Sequence, residues 1–111
     1  MRIAVCIKQV PDSEARLRIA GDGKSIEEED IQFVINESDG YALEEALTLA
    51  EGTGGEVVVF SVGPERVREA LRKALALGAT RAVHLNDEAL MGGDSLATGK
   101  ALASALAKEE F

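Results

Sequence analysis

The chain has 111 residues, 46% hydrophobic and 29% charged, with a formal net charge of −8. That length predicts one domain with a modest core, of ordinary soluble globular composition, and the acidic balance argues against non-specific binding to nucleic acid or anionic lipid. A single cysteine excludes an intramolecular disulfide and suits a reducing cytoplasm, and no apolar run approaches the ~20 residues of a membrane span.

Arg2 to Ile7 is apolar without alternation, which predicts a strand buried on both faces. It starts so early that no signal peptide is expected before it. Pro11 cannot continue a central strand, so Lys8-Gln9-Val10-Pro11-Asp12 is expected to end this one. Ala15 to Ala20 then alternates as a half-buried strand does, Gly21-Asp22-Gly23 signals a turn, and Ile31 to Ile35 reads as the return strand. A β-ribbon is therefore expected at about 13–35, between the first strand and the first helix. Its acidic run, Glu27-Glu28-Glu29-Asp30, reads as a solvated edge, because it lacks the turn glycine and spacing of a metal loop.

Asn36-Glu37-Ser38-Asp39 suits a helix start. The helix is expected from about Gly40 to Glu51, with Leu43, Ala46, Leu47 and Ala50 on its core face, before the Gly52-Thr53-Gly54-Gly55 loop. The β-branched run after Glu56 predicts a second strand buried on both faces, ending at Val62. Gly63 permits a sharp turn, and Pro64 fits a first helical turn, where its missing N–H is harmless. Val67, Ala70, Leu71, Ala74 and Leu75 share one helical face, Gly78 supplies a stop, and Ala82-Val83-His84-Leu85 begins a third strand. This is a βαβ unit, so its strands are expected to be parallel, with the order 3-2-1 and strand 1 at a free edge. After a loop from Asn86 to Gly93, Asp94-Ser95 caps a last helix with an apolar face of Ala97, Ala101, Leu102, Ala105 and Leu106.

No catalytic constellation emerges. His84 is the only histidine, which excludes a histidine metal cage, and its place inside a strand favours a structural role. Cys6 sits in an apolar strand, where a buried, inert thiol is expected. Neither a Walker-type nor a G-x-G-x-x-G phosphate loop is present. Four turns should nevertheless meet at one edge of the sheet: Cys6 to Lys8, Asn36 to Asp39, Val62-Gly63, and Gly92 to Thr98. Two readings stand open for them, ordinary caps and turns, or a nucleotide site at the carboxyl ends of the strands.

Several ordered motifs together carry a resemblance. They are Val5-Cys6-Ile7-Lys8-Gln9-Val10-Pro11-Asp12, Ile35-Asn36 with Ala42-Leu43-Glu44-Glu45-Ala46-Leu47, Ser61-Val62-Gly63-Pro64, and Ala74-Leu75-Ala76-Leu77-Gly78-Ala79. Over essentially its whole length the chain resembles the amino-terminal part of the electron transfer flavoprotein β subunit. Gly93-Asp94-Ser95-Leu96-Ala97-Thr98 makes it look closer to the bacterial nitrogen-fixation-linked and bifurcating branch than to the mitochondrial type. The resemblance implies an α/β, doubly wound parallel sheet, an adenine-nucleotide α-hydrolase-like (Rossmann-like) fold, here incomplete at the carboxyl end. It implies a cytoplasmic, non-enzymatic electron-carrier subunit paired with an α subunit that holds the redox-active FAD. The heterodimer would take electrons from dehydrogenases to a quinone reductase or another acceptor. The β subunit's own pocket would hold AMP, or a second FAD in bifurcating members.

Carried onto this chain, the nucleotide contacts fall on Cys6, Ile7, Lys8, Asn36, Ser38, Asp39, Val62 and Gly63, with Asp94, Ser95 and Thr98 from the last motif. Backbone groups of residues 6–8 and 62–63 are expected to pair with an adenine edge, and Asp39 to accept from a ribose hydroxyl. A side chain at Gly63 is expected to enter the nucleotide's space. Two departures stand out: a proline common after the Asn36 position is Glu37 here, and Ala-Asp-Thr of the last motif is Gly93-Asp94-Ser95. The family also continues past residue 111, with a further strand, a phosphate-binding loop and a partner-recognition loop. A stand-alone adenine-nucleotide-binding or stress-response module of the same fold is the competing reading.

Overall fold

The computed structural model describes residues 1–111. Three parallel strands form the main sheet in the order β1 (Arg2–Cys6), β4 (Glu56–Val62), β5 (Arg81–Leu85), with β1 at one edge as the βαβ pattern predicts. The middle strand is the most buried element, and Val59 and Phe60 are 0% exposed. Alternation along β4 sends Val57 and Val59 to one face, where one apolar cluster joins them to Val5, to Leu43, Ala46 and Ala50 of α1 (Glu37–Thr53), and to Val67, Ala70, Leu71 and Ala74 of α2 (Val67–Leu77). Val58 and Phe60 point to the opposite face, where α3 (Ser95–Leu106) contacts β4. Helices thus cover both faces, the arrangement of an α/β doubly wound sheet.

Charge and aromatic contacts anchor the end of α3. Glu109 pairs with Arg81 and, at 3.3 Å, with Arg2, whose Nε also donates to Glu56 at 3.1 Å. Phe111 meets the Phe60 ring edge-on at 6.0 Å between centroids, and the Arg2 guanidinium carbon lies 5.1 Å from the Phe111 ring centroid.

Several local expectations change in three dimensions. The first strand is not buried on both faces: Val5 is buried, Ile3 and Ala4 are half-buried, and Cys6 is exposed, because β1 is an edge strand. The ribbon pairs β2 (Gln9–Pro11) with β3 (Phe33–Ile35), antiparallel, rather than a strand at Ala15 to Ala20. Pro11 is tolerated as the last residue of that short, two-stranded ribbon. Between these strands only one isolated bridge, Ile19 to Ile26, forms, and Leu17 and Ile19 are exposed, so the alternating run has no apolar layer to lie against. α1 starts three residues earlier than expected, at Glu37. Pro64 lies in a turn before α2, joined to it by Val67 N–H donating to Pro64 O at 3.0 Å, and Leu75 is 41% exposed, leaving Val67, Ala70, Leu71 and Ala74 as the buried face of α2.

At the carboxyl end of the sheet, buried Ser61 donates from Oγ to Ile7 O at 2.7 Å, and Ile7 N–H donates to Phe60 O at 2.9 Å. These bonds continue the β1–β4 pairing past the last paired residues. Ser61→Ala is expected to destabilise the fold by about 1–3 kcal/mol, since it strips a buried carbonyl of its partner. Denaturant midpoints of the two proteins measure this, and coincident midpoints would reject it.

Candidate functional site

The carboxyl ends of β1 and β4 open into a cavity of about 690 Å³, closed on the far side by the loop before α3 and by the first turns of that helix. Cys6, Ile7, Lys8, Asp39, Val62, Gly63, Asp94, Ser95 and Thr98 all line it. These come from four separate segments of sequence. Asn36 and Ser38 do not reach the cavity; Asn36 precedes α1 and donates its backbone N–H to Lys8 O at 2.8 Å, while Ser38 is exposed.

Each wall is held by hydrogen bonds. Asp39, in the first turn of α1, accepts from Lys8 N–H on Oδ2 at 2.8 Å. Gly63 N–H donates to Leu85 O at 3.1 Å, and His84 Nε2–H donates to Gly63 O at 2.8 Å, which gives the only histidine a structural role. With the Ser61–Ile7 and Ile7–Phe60 bonds, the N–H groups of Ile7, Lys8 and Gly63 are all engaged within the protein. None of these bonds uses the backbone of Cys6 or Val62. Ile7, Lys8 and Gly63 therefore have no uncommitted N–H for the adenine edge expected of residues 6–8 and 62–63. Asp39 keeps one carboxylate oxygen outside the Lys8 bond.

The wall on α3 is capped by Asp94, whose Oδ1 accepts from Ala97 N–H at 2.9 Å. Ser95, Thr98, Gly99 and Leu102 follow at helical spacing, so one face of α3 lines the cavity. Leu90, Met91 and Leu102 make it partly apolar. The Ser95-to-Leu102 spacing is a readable signal for Leu102, whereas Leu90 ends a single 3-10 turn (Glu88–Leu90) and Met91 follows it, too short a run for periodicity to mark them. Lys8 is the only cation in the lining, set against the carboxylates of Asp39 and Asp94. This donor set suits the hydroxyl-rich, neutral adenosine part of a nucleotide better than its phosphate. Nowhere do three or more His, Cys, Asp or Glu groups gather as metal ligands would, and no helix is long and apolar enough to cross a membrane.

Gly63 departs from expectation. A Cβ built there would lie 2.4 Å from Val67 Cγ2, so a side chain would strike the buried start of α2 rather than enter the cavity. Gly99 is different: it lines the cavity, and a Cβ there meets nothing within 4 Å. Cys6 is exposed at the cavity wall, not the buried thiol expected from its apolar neighbours. Its thiol pKa is raised, first by partial desolvation and then by the charge of Asp39.

Comparison with known proteins gives a consistent result. The family described as Electron transfer flavoprotein domain matches residues 24–111. Protein FixA of Rhizobium meliloti (strain 1021) is 49% identical over 108 residues, covering 97% of this chain and 37% of that protein. Electron transfer flavoprotein subunit beta of Thermoanaerobacterium thermosaccharolyticum is 45% identical over 111 residues, covering 100% of this chain and 42% of that protein. The corresponding subunit of Methylophilus methylotrophus is 43% identical over 111 residues. The chain thus spans about two fifths of the length of these curated relatives.

The raised Cys6 pKa has a defined sign. Folding favours the neutral thiol, so this contribution to stability is complete below the unfolded thiol's pKa and is lost as pH rises through the folded value. Alkylation of Cys6 by iodoacetamide at pH 8 is expected to be slower than that of a free thiol, because less thiolate is present. Asp39→Asn removes the neighbouring charge and should shift the rate–pH profile towards lower pH. A profile unmoved by that substitution would reject the Asp39 effect.

Proposed function

The chain belongs to the Electron transfer flavoprotein domain family, and from that we propose that it is the amino-terminal part of a β-type electron-carrier subunit whose cavity holds an adenine nucleotide. One observation carries this reading: every resemblance-derived contact except Asn36 and Ser38 lines a single cavity at the carboxyl end of the sheet. Nucleotides bind at that end in open α/β sheets. Cys6 and Val62 offer backbone groups to the base, the outward oxygen of Asp39 and the hydroxyls of Ser95 and Thr98 suit ribose, and Leu90, Met91 and Leu102 cover apolar ring surface. The ligand is AMP or the AMP portion of a second FAD.

In this reading the β-type chain makes and breaks no covalent bonds. A redox-active FAD, held mainly by an α subunit, supplies the electron-carrying chemistry when bound. The residues described here bind and orient the adenosine end, and the hydrogen bonds from Ser61, His84 and Asp39 keep the cavity walls preorganised. Dehydrogenases as donors, a quinone reductase or other acceptor, and a cytoplasmic setting complete the proposal. Its support is the resemblance of the motifs together with the naming of relatives as electron transfer flavoprotein β subunits.

Gly99→Leu provides the test, in the full-length protein with any subunit that copurifies. The added side chain occupies open space on the cavity lining, and replacing a mid-helix glycine should stabilise α3 by roughly 0.5–1 kcal/mol. Nucleotide released on denaturation is separated by chromatography and identified as AMP or FAD. The wild type is expected to release about one adenine nucleotide from this pocket per chain, and the variant to bind it roughly tenfold more weakly, about 1.4 kcal/mol. A wild type without pocket nucleotide, or a folded variant with unchanged affinity, would place the ligand elsewhere.

A further inference from the structure

Arg66 lies immediately before α2, outside the cavity, yet its contacts reach three separate parts of the chain. Its Nη1 donates to Gln9 Oε1 at 2.7 Å, and its own carbonyl accepts from Gln9 Nε2 at 3.1 Å. The guanidinium carbon sits 3.8 Å from the centroid of the Phe33 ring, and Nε pairs with Glu28. Gln9 is 7% exposed, a buried amide whose donor and acceptor are both met by this one residue. Gln9 follows the Cys6–Lys8 wall directly, and Arg66 follows Gly63 by three residues. The Gln9–Arg66 exchange therefore ties the segment that follows the first wall to the segment that follows the second. Glu28, within the long excursion between β2 and β3, and Phe33, where β3 begins, extend these ties to that excursion.

We propose that Arg66 is a positioning residue for the cavity: it clamps the Cys6–Lys8 wall to the Val62–Gly63 wall and couples both to the excursion at residues 12–32. This rests on the nucleotide reading above and adds a connection between ligand and ribbon. The guanidinium is suited to the task because its plane stacks on Phe33 while its edge donates to Gln9 and Glu28. Lysine offers a single point charge and cannot hold all three contacts together. Nucleotide binding, by fixing the two walls, holds Gln9 and Arg66 in register and so restrains the excursion; linkage makes the effect reciprocal.

The excursion carries its own reporter, since Arg16, Arg18 and Lys24 are exposed trypsin sites. In the full-length protein stripped of nucleotide, saturating AMP or FAD is expected to slow cleavage at these sites. Arg66→Gln and Arg66→Lys should speed it, abolish its dependence on nucleotide, and weaken AMP and FAD binding by roughly 3- to 10-fold. Glu28→Gln, an exposed change that leaves the Gln9–Arg66 exchange intact, should speed cleavage with little change in affinity. If Arg66→Gln lowers the melting temperature while affinity and nucleotide-dependent protection stay as in the wild type, its role is structural only and the coupling is overturned. If the wild type binds neither AMP nor FAD, the nucleotide reading falls and the coupling falls with it. Wild-type binding without protection of the excursion removes the coupling alone.

Discussion

The structure depends on β4 being enclosed from every side. Its side chains are covered above and below by helices, and its backbone is paired on both edges by parallel neighbours. A strand so placed tolerates few polar atoms, and Ser61 is there because its hydroxyl has a carbonyl partner on the neighbouring strand. Burial of Val57 through Phe60 orients the strand, and orientation of the strand puts Val62 and Gly63 at the open end. Everything proposed to bind a ligand is arranged around that point.

The cavity is formed by separation as much as by contact. β1 and β4 stay paired through Cys6 and Phe60, after which the chain leaves β1 for the ribbon and leaves β4 for α2. The gap between the two departing segments becomes a cleft because α3 crosses on the opposite face and closes it. Short hydrogen-bonded ties then stop the walls from collapsing or drifting. Asp39 secures one departing segment, His84 the other, and the Gln9–Arg66 exchange joins the two.

The ties also explain the chemical bias of the cavity. Once the N–H groups of Ile7, Lys8 and Gly63 are committed internally, few strong anion donors remain, and the lining holds two carboxylates against one lysine. A phosphate gains little there, whereas a neutral base and a ribose meet both acceptors and apolar surface.

Order and type of the principal elements were legible in the sequence because each depends on local patterning. The unbroken β-branched run of β4, the helical spacing of Val67, Ala70, Leu71 and Ala74, and the Asp94 cap are properties of neighbouring residues. Parallel pairing in the observed order followed from the helix-containing crossovers between the strands. Convergence of Cys6, Asp39, Gly63 and Asp94 on one cleft was legible for the same reason, since strand ends and helix starts share one side of such a sheet. What tertiary structure alone decided concerns partners distant in sequence. Whether Cys6 is covered depends on which layer lies over an edge strand, not on the residues beside it. The alternating run at Ala15 to Ala20 lacks a ladder partner because Gln9–Pro11 takes Phe33–Ile35 instead. The direction of a Cβ at Gly63, and the prior commitment of three backbone N–H groups, are set by Val67, Phe60, Asp39 and Leu85, contacts that exist only once the layers have packed.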